Sequence, residues 1–185
     1  MNVYDFDGTI YDGDSSVDFF RFCFKHYKIL RCIPGIAWNG LLYFLKLKEK
    51  TPFKQSVYHY FRYIPDMDTA LEEFWAGHEH KLKGWYLNEK MRSDDVIISA
   101  SPEFQLRPVC DKLGVKLLAS RVDRHTGAYT GLNCDGKEKV RRFYEAFPGG
   151  SIDCFYSDSD KDIPLAKLAA AAYKVSGDEV SPWKL

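Results

Sequence analysis

Short apolar runs that end in polar residues alternate with helix-like segments at the start and in the second half of the chain. The run of Val3, Tyr4 and Phe6 indicates a first strand. Further strands are predicted near 95–99, 115–119, 152–156 and 172–175, and helices near 103–113, 137–146 and 162–171. This alternation is typical of a parallel sheet with helices on both faces. The predicted fold class is therefore α/β with a doubly wound parallel sheet.

Residues 11–88 lack this alternation and carry aromatic side chains at helical spacing. The spaced sets are Val17, Phe20, Phe24 and Tyr27, then Leu71, Trp75, His78 and Leu82, with Pro34, Pro52 and Pro65 expected to separate helices. We therefore predict a helical cap over 11–88, inserted into a core of 1–10 plus 89–185. Within the core, Ser120 to Asn133 predicts a β-hairpin that turns at Thr126-Gly127.

Composition narrows the class of protein. The 185 residues include 26 Lys and Arg and 26 Asp and Glu, so the formal net charge is zero. Without an overall field of either sign, the composition argues against a nucleic-acid partner. The five cysteines lack C-x-x-C spacing, and the five histidines lack a metal-ligand pattern. These features favour a cytoplasmic protein with free thiols.

The segment Asp5-Phe6-Asp7-Gly8-Thr9 places two carboxylates at the tip of the first strand. Side chains two positions apart on a strand point the same way, and a glycine allows a sharp turn and a close approach to a ligand. A buried pair of carboxylates is costly unless a cation or a reaction compensates it. The pattern indicates one carboxylate for covalent attack and one for proton transfer, beside a metal. A plain acidic turn is the alternative.

Two other segments supply candidate phosphate-binding groups. The strand near 95–99 ends at Ser99-Ala100-Ser101, where the backbone amides before a helix suit a phosphate. Gly136-Lys137-Glu138-Lys139 begins a helix, and a lysine close to the aspartates would neutralise a transferring phosphoryl group. The plainer interpretations are a helix-capping serine and solvated lysines.

A second acidic segment follows the strand near 152–156. It contains Asp158, Asp160 and Asp162, and clustered aspartate oxygens suit a hard cation such as Mg2+. All of these segments lie between a strand and a helix. Because ligands bind at the carboxyl ends of the strands in an open parallel sheet, we expect them to meet at one edge.

The ordered set of motifs resembles the haloacid dehalogenase-like (HAD) phosphatases. Within that superfamily, the chain is similar to the phosphoserine-phosphatase-like branch, which has a small helical cap. It also resembles a lipid-phosphate branch that includes bacterial phosphatidylglycerophosphate phosphatases. The resemblance implies a Rossmann-like core, with Asp5 as the nucleophile and Asp7 as the acid and base. It further implies that Ser99 and Lys139 hold the phosphoryl group, with Lys137 as a competitor.

The resemblance also implies the metal and substrate residues. Mg2+ would be held by the Asp5 carboxylate, the Asp7 carbonyl and Asp158, with Asp162 in support and Asp160 as its competitor. Gly8, Thr9 and Ala100 fall at substrate-binding positions. Asp14 takes the place of a substrate-reading Glu of the phosphoserine branch, which weakens the case for free phosphoserine. Apart from the resemblance, the position of the cap over the carboxylates makes Arg62 or Lys54 a candidate for binding a second anionic group of the substrate, and an ordinary surface charge is the alternative for each.

The expected function is a Mg2+-dependent phosphomonoester hydrolase that acts through an aspartyl phosphate on a phosphorylated small molecule or a phospholipid headgroup. The alternatives are a catalytically silent binding module of the same fold and a phosphotransferase.

The apolar stretch Ile29 to Leu47 is interrupted by Arg31, Pro34 and Lys46, so it is a poor membrane span. It predicts either a packed cap helix or a surface for peripheral membrane contact.

Overall fold

A six-stranded sheet forms the centre of the protein, in the order β3-β2-β1-β4-β5-β6. The computed structural model describes residues 1–47 and 55–185. Strands β1 to β5 run parallel, and β6 is antiparallel to β5. The strands are β1 (Val3–Tyr4), β2 (Val96–Pro102), β3 (Lys116–Ser120), β4 (Ile152–Ser157), β5 (Ala169–Ser176) and β6 (Glu179–Pro182).

The strand order reverses at β1, which pairs with β2 on one side and with β4 on the other. Val3 lies opposite both Val96 and Phe155, so the three strands are in close register. Their carboxyl ends therefore share one edge of the sheet. A reversal of this kind leaves a crevice at that edge, where α/β proteins bind ligands. The predicted α/β fold with a doubly wound, mostly parallel sheet is confirmed.

Helices flank the sheet, and several lie within residues 11–88, between β1 and β2, a segment that we call the insert. They are α1 (Ser15–His26), α2 (Ile33–Phe44), α3 (Met67–His78), α4 (Glu103–Leu113), α5 (Lys137–Ala146) and the short α6 (Ile163–Ala166). Asp14 and Asp66 cap α1 and α3, each accepting hydrogen bonds from backbone amides of the first turn. Over the described ranges, no helix is both long and apolar enough to cross a membrane.

The spaced set of residues in α1 is not the buried side of this helix. Val17 and Phe24 are exposed, whereas Phe19 and Cys23 are buried. Phenylalanines stand on several sides of this helix, so their spacing alone does not define the packed face. On α3, Leu71 and Trp75 of the second spaced set are buried.

The insert shares its hydrophobic core with the sheet. Phe6, which follows β1, packs against Trp75 of α3 with ring centroids 6.0 Å apart. The two ends of the insert lie side by side, joined by an antiparallel bridge between Tyr11 and Leu82. The Lys83 amide also donates to the Ile10 carbonyl at 2.8 Å.

The C-terminal region corrects one prediction. The helix predicted over 162–171 is only a 3-10 turn (160–162) followed by α6, and β5 begins at Ala169 rather than near 172. The alanine run has helical propensity, but pairing with β4 overrides it, with Ile152 opposite Ala169. Strand β6 was not predicted. The hairpin over 120–133 is reduced to one bridge, Val122 to Tyr129, although Gly127 does lie in its turn with φ +74°.

Candidate active site

A cavity of about 370 Å3 opens at the carboxyl ends of β1, β2 and β4. The sheet side contributes most of the predicted chemistry, and the insert closes the opposite side with apolar residues. The polar lining includes Asp5, Asp7, Asp14, Ser99, Lys139, Asp158 and Asp162, and the apolar lining includes Val17, Phe20, Val57, Tyr58 and Ala100. Residues far apart in sequence thus meet where the strand order reverses.

Asp7 is held in place by two hydrogen bonds. The Ser15 amide donates to its Oδ1 at 2.6 Å, and the Ser101 hydroxyl donates to its Oδ2 at 2.6 Å. Ser15 is the first residue of α1, so this bond joins Asp7 to the start of a helix. Asp7 is therefore fixed from both the insert and β2.

Lys139 lies between two carboxylates. Its Nζ donates to Asp5 Oδ1 at 2.8 Å and to Asp162 Oδ2 at 2.7 Å. The lysine side chain is only 2% exposed, so all three groups interact away from bulk water. Among the described residues, no hydrogen bond reaches Asp5 Oδ2. That oxygen is therefore left for a ligand.

The competing residues lie elsewhere. Lys137 is exposed at the start of α5, two positions from Lys139 and so on another side of the helix. Asp160 is exposed and pairs with Lys174. Asp162 instead accepts a bond from the Ser157 hydroxyl at 2.8 Å as well as from Lys139.

Ser99 is buried at the cavity wall, where β2 departs from regular pairing. The register with β3 jumps between Ser99 and Pro102, which gives a bulge at Ala100 and Ser101. The Ser101 amide donates to Ser99 Oγ at 3.0 Å. A hydroxyl that accepts in this way keeps its own proton to donate, so Ser99 can offer a bond to an oxygen in the cavity.

Asp158 packs over the glycine of the first motif. A Cβ placed on Gly8 would lie 2.3 Å from Asp158 Oδ2, and Gly8 has φ +74°. Both facts favour glycine at this position. Thr9 is fully buried, and its hydroxyl accepts from the Asp158 amide at 3.0 Å. Thr9 thus holds the acidic loop against the first motif.

The two candidate residues of the insert lie in different places. Asp14 lines the cavity and caps α1, accepting a bond from the Val17 amide at 3.0 Å. Arg62 lines a separate cavity of about 530 Å3, together with Arg31 and His59. Lys54 lies outside the described residues.

Burial and like charges act on both aspartates of the first motif. Burial raises the pKa of Asp5, Lys139 lowers it, and Asp162 raises it again; the net pKa is above the ordinary value. Burial and the charge of Asp14 also raise the pKa of Asp7, against the bonds from Ser101 and Ser15. Burial alone would lower the pKa of Lys139, but Asp5 and Asp162 raise it overall.

The oxygen atoms here suit a hard divalent cation. Over the described ranges, no three His, Cys, Asp or Glu side chains form a ready cage for a metal. Mg2+ does not need one, because it usually takes one or two carboxylates and completes its shell with water and substrate phosphate. Asp5 and Asp158 line the same cavity, and the missing Cβ of Gly8 makes room for the Asp158 carboxylate. The residues present therefore fit the ion.

Three positioning residues were missed by the sequence analysis. Ser101 and Ser157 bind the carboxylates of Asp7 and Asp162. Both serines stand at strand ends next to motif residues, which was the available signal. Lys83 is buried, and its Nζ donates to the carbonyls of Gly8 at 2.8 Å and Gly177 at 2.5 Å. Nothing in its local sequence marks it.

Comparison with known families identifies the class. Residues 3–167 match the haloacid dehalogenase-like hydrolases. This match covers most of the chain, so the protein belongs to the haloacid dehalogenase-like hydrolase family, and the predicted family is confirmed. A search of curated proteins found no match.

Solved structures show the same fold. A protein of unknown function from Bordetella pertussis Tohama I is similar, with a TM-score of 0.71, 19% identity, and coverage of 93% of this chain and 87% of that one. A phosphoserine phosphohydrolase-like protein from Francisella tularensis subsp. tularensis SCHU S4 has a TM-score of 0.55, 15% identity, and coverage of 93% and 86%. A phospho-aspartyl intermediate analogue of phosphoserine phosphatase has a TM-score of 0.58, 14% identity, and coverage of 92% and 83%.

Proposed function

We propose that the protein is a Mg2+-dependent phosphomonoester hydrolase that works through an aspartyl phosphate on Asp5. The observation that carries this proposal is the contact of Lys139 with both Asp5 and Asp162, in a cavity that also holds Asp7 and Asp158. One buried lysine beside several carboxylates leaves excess negative charge, which suits a divalent cation.

The first step is attack by an Asp5 oxygen on phosphorus. Lys139 binds Oδ1 and so leaves Oδ2 for the new bond. As the bond from phosphorus to the leaving oxygen breaks, a proton on Asp7 passes to that oxygen. The raised pKa of Asp7 favours the protonated form that this step requires.

In the second step, water attacks the phosphorus of the aspartyl phosphate. Asp7, now ionised, takes the proton of that water, and Asp5 leaves as a carboxylate. The bonds from Ser15 and Ser101 hold Asp7 in the same position for both transfers.

Ser99 and Lys139 bind the phosphoryl oxygens in this proposal. Mg2+ would be held by the Asp5 carboxylate, the Asp7 carbonyl and Asp158, with Asp162 in support, and when bound it would stabilise the charge on the phosphoryl group. Lys139 and Asp162 are favoured over Lys137 and Asp160 because only the former pair lines the cavity.

The substrate is proposed to be a phosphorylated small molecule or a phospholipid headgroup. Ala100 lines the cavity, whereas Gly8 and Thr9 are not among its lining residues. In this proposal Gly8 makes room for the Asp158 carboxylate and Thr9 holds the Asp158 amide. Residues 11–88 would act as a cap, because Val17, Phe20 and Tyr58 face the cavity from that segment. Arg62 is not among the residues of this cavity, so its predicted contact with the substrate lacks support. We propose a cytoplasmic protein with peripheral membrane contact through the cap.

An aryl phosphate assay tests the proposal. We expect hydrolysis with Mg2+, loss of activity with a chelator, and loss of turnover in Asp5→Asn, with Asp153→Asn as an exposed control. Substantial turnover by a clean Asp5→Asn preparation would remove Asp5 as the nucleophile. If phosphate is trapped on Asp5 but not released to water, the result would favour a phosphotransferase. If no substrate in a panel that includes short-chain lipid phosphates is hydrolysed, the result would favour a catalytically silent binding module.

A further inference from the structure

Helix α2 is apolar, yet it buries none of its side chains fully. None of its twelve residues, all within the described part of the chain, is buried. Helix α3 has the same length and buries Met67, Ala70, Leu71, Phe74 and Trp75. A helix in a globular protein normally hides its apolar side.

Exposed apolar residues of α2, together with Leu45 at its carboxyl end, form a stripe. Trp38, Leu41 and Leu45 are spaced by three and four positions, which puts them along one side of the helix. Their exposed fractions are 62%, 48% and 53%, and Phe44 beside them is 82% exposed. Contiguous exposed apolar surface of this kind marks an interaction site. We call these four residues the α2 stripe.

The charge around the α2 stripe is strongly biased, although the whole chain is neutral. Residues 25–47 and 55–62 contain five basic residues and no acidic one: Lys25, Lys28, Arg31, Lys46 and Arg62. An apolar helix side with basic flanks complements an anionic lipid surface, which attracts basic residues and accepts apolar side chains at its boundary.

A polar cavity lies beside the same helix. Gly35 and Asn39 of α2 line it together with Arg31 and Arg62, and its volume is about 530 Å3. Positions 35 and 39 lie on the other side of α2 from the α2 stripe, so this cavity faces away from it. Trp38 suits the boundary of a bilayer, because an indole has an apolar body and one polar N–H group.

We propose that the α2 stripe docks the protein on an anionic bilayer surface. The stripe enters the boundary of the bilayer, and the basic residues before and after it attract the anionic headgroups. At twelve residues the helix is too short to span the bilayer, so it would lie along the surface. This inference rests on the peripheral membrane contact in the proposed function and names its surface. Its test is separate from that of the hydrolase activity, because vesicle binding is measured without turnover.

Co-sedimentation of the full chain with vesicles tests the docking surface. We expect binding to phosphatidylcholine vesicles that contain phosphatidylserine, weaker binding to phosphatidylcholine alone, and release at high salt. Leu41→Ser with Leu45→Ser should lower the partition coefficient roughly tenfold. Leu132→Ser with Leu185→Ser, two exposed leucines elsewhere, should leave it unchanged.

A second pair of variants tests the charge. Lys28→Gln with Lys46→Gln, which are exposed before and after α2, should weaken binding by about fivefold per charge and reduce its salt dependence. Lys90→Gln with Lys167→Gln, which are exposed away from α2, is the matched control. Circular dichroism and thermal unfolding confirm that each variant is folded.

Three outcomes would overturn the proposal. The first is wild-type protein that stays in the supernatant with anionic vesicles at low salt. The second is sedimentation of the leucine variant equal to that of wild type. The third is a dimer in sedimentation velocity that the leucine variant abolishes, without vesicle binding, because a second copy would then cover the α2 stripe.

Discussion

Replacement of Lys139 by methionine is the sharpest test of the buried charge cluster. The Nζ of Lys139 lies 2.8 Å from Asp5 Oδ1 and 2.7 Å from Asp162 Oδ2, and its side chain is 2% exposed. Methionine retains much of the volume and removes the charge, so two carboxylates lose their shared partner. Removing one member of a buried ion pair costs about 3–5 kcal/mol. We expect the free energy of unfolding to fall by about that amount.

The measurement is urea unfolding in the presence of a chelator, so that no cation replaces the lysine. Lys137→Met is the matched control, and because Lys137 is exposed on the same helix we expect a change within about 0.5 kcal/mol. Loss of the lysine further raises the pKa of Asp5. The carboxyl then takes up a proton as pH falls, so the destabilisation should shrink at acid pH.

A double variant isolates the electrostatic part. Asp162→Asn keeps an oxygen to accept the bond from Ser157 and removes one of the two charges. Lys139→Met with Asp162→Asn should therefore be less unstable than the sum of the single variants, by about 1–2 kcal/mol. A loss below about 1 kcal/mol in Lys139→Met, or strict additivity in the double variant, would refute the reasoning.

Two further predictions concern Gly8 and Asp95. Gly8→Ala should lower turnover roughly 100-fold and raise the Mg2+ concentration for half-maximal activity, because the new methyl group displaces Asp158. Gly149→Ala is the control and should retain activity, because Gly149 has a similar positive φ but open space around it. Equal effects of the two substitutions would contradict this prediction. Burial raises the pKa of Asp95 to about 6, so stability falls as pH rises from about 4 to about 6. Asp95→Asn should thus be more stable than wild type by about 1 kcal/mol near pH 8 and equal to it near pH 4 in denaturant unfolding; an unchanged difference across that range would contradict the assignment.

The sequence predicted elements well where local signals and packing agree. Helices 103–113 and 137–146 match α4 and α5, and α4 ends at Gly114 in the left-handed conformation that a glycine favours. The helix over 162–171 was wrong because the alanine run pairs with β4, which local propensity does not encode. The spacing of Val17, Phe20 and Phe24 agrees with a helix but does not show which side of α1 is buried, since Phe19 packs against Phe74 from α3.

In the candidate site, too, local signals predicted some features and packing determined the others. The sequence predicted that the aspartates of separate motifs meet, because each motif follows a strand and the ends of parallel strands share one edge of the sheet. The choice between Lys137 and Lys139 depends on the rotation of α5 against the sheet, which only packing sets. Ser101 is a similar case, since it reaches Asp7 through a bulge in β2 that depends on the register with β3.

Lys83 links three segments that are distant in sequence. It follows the returning connection of the insert, and its ammonium group binds the carbonyl of Gly8 and that of Gly177 between β5 and β6. One ammonium group therefore ties the end of the insert to the loop that carries Asp5 and Asp7 and to the turn before β6. Removing the chain from Gly177 onward would take away one of the two carbonyls that hold this ammonium group in place.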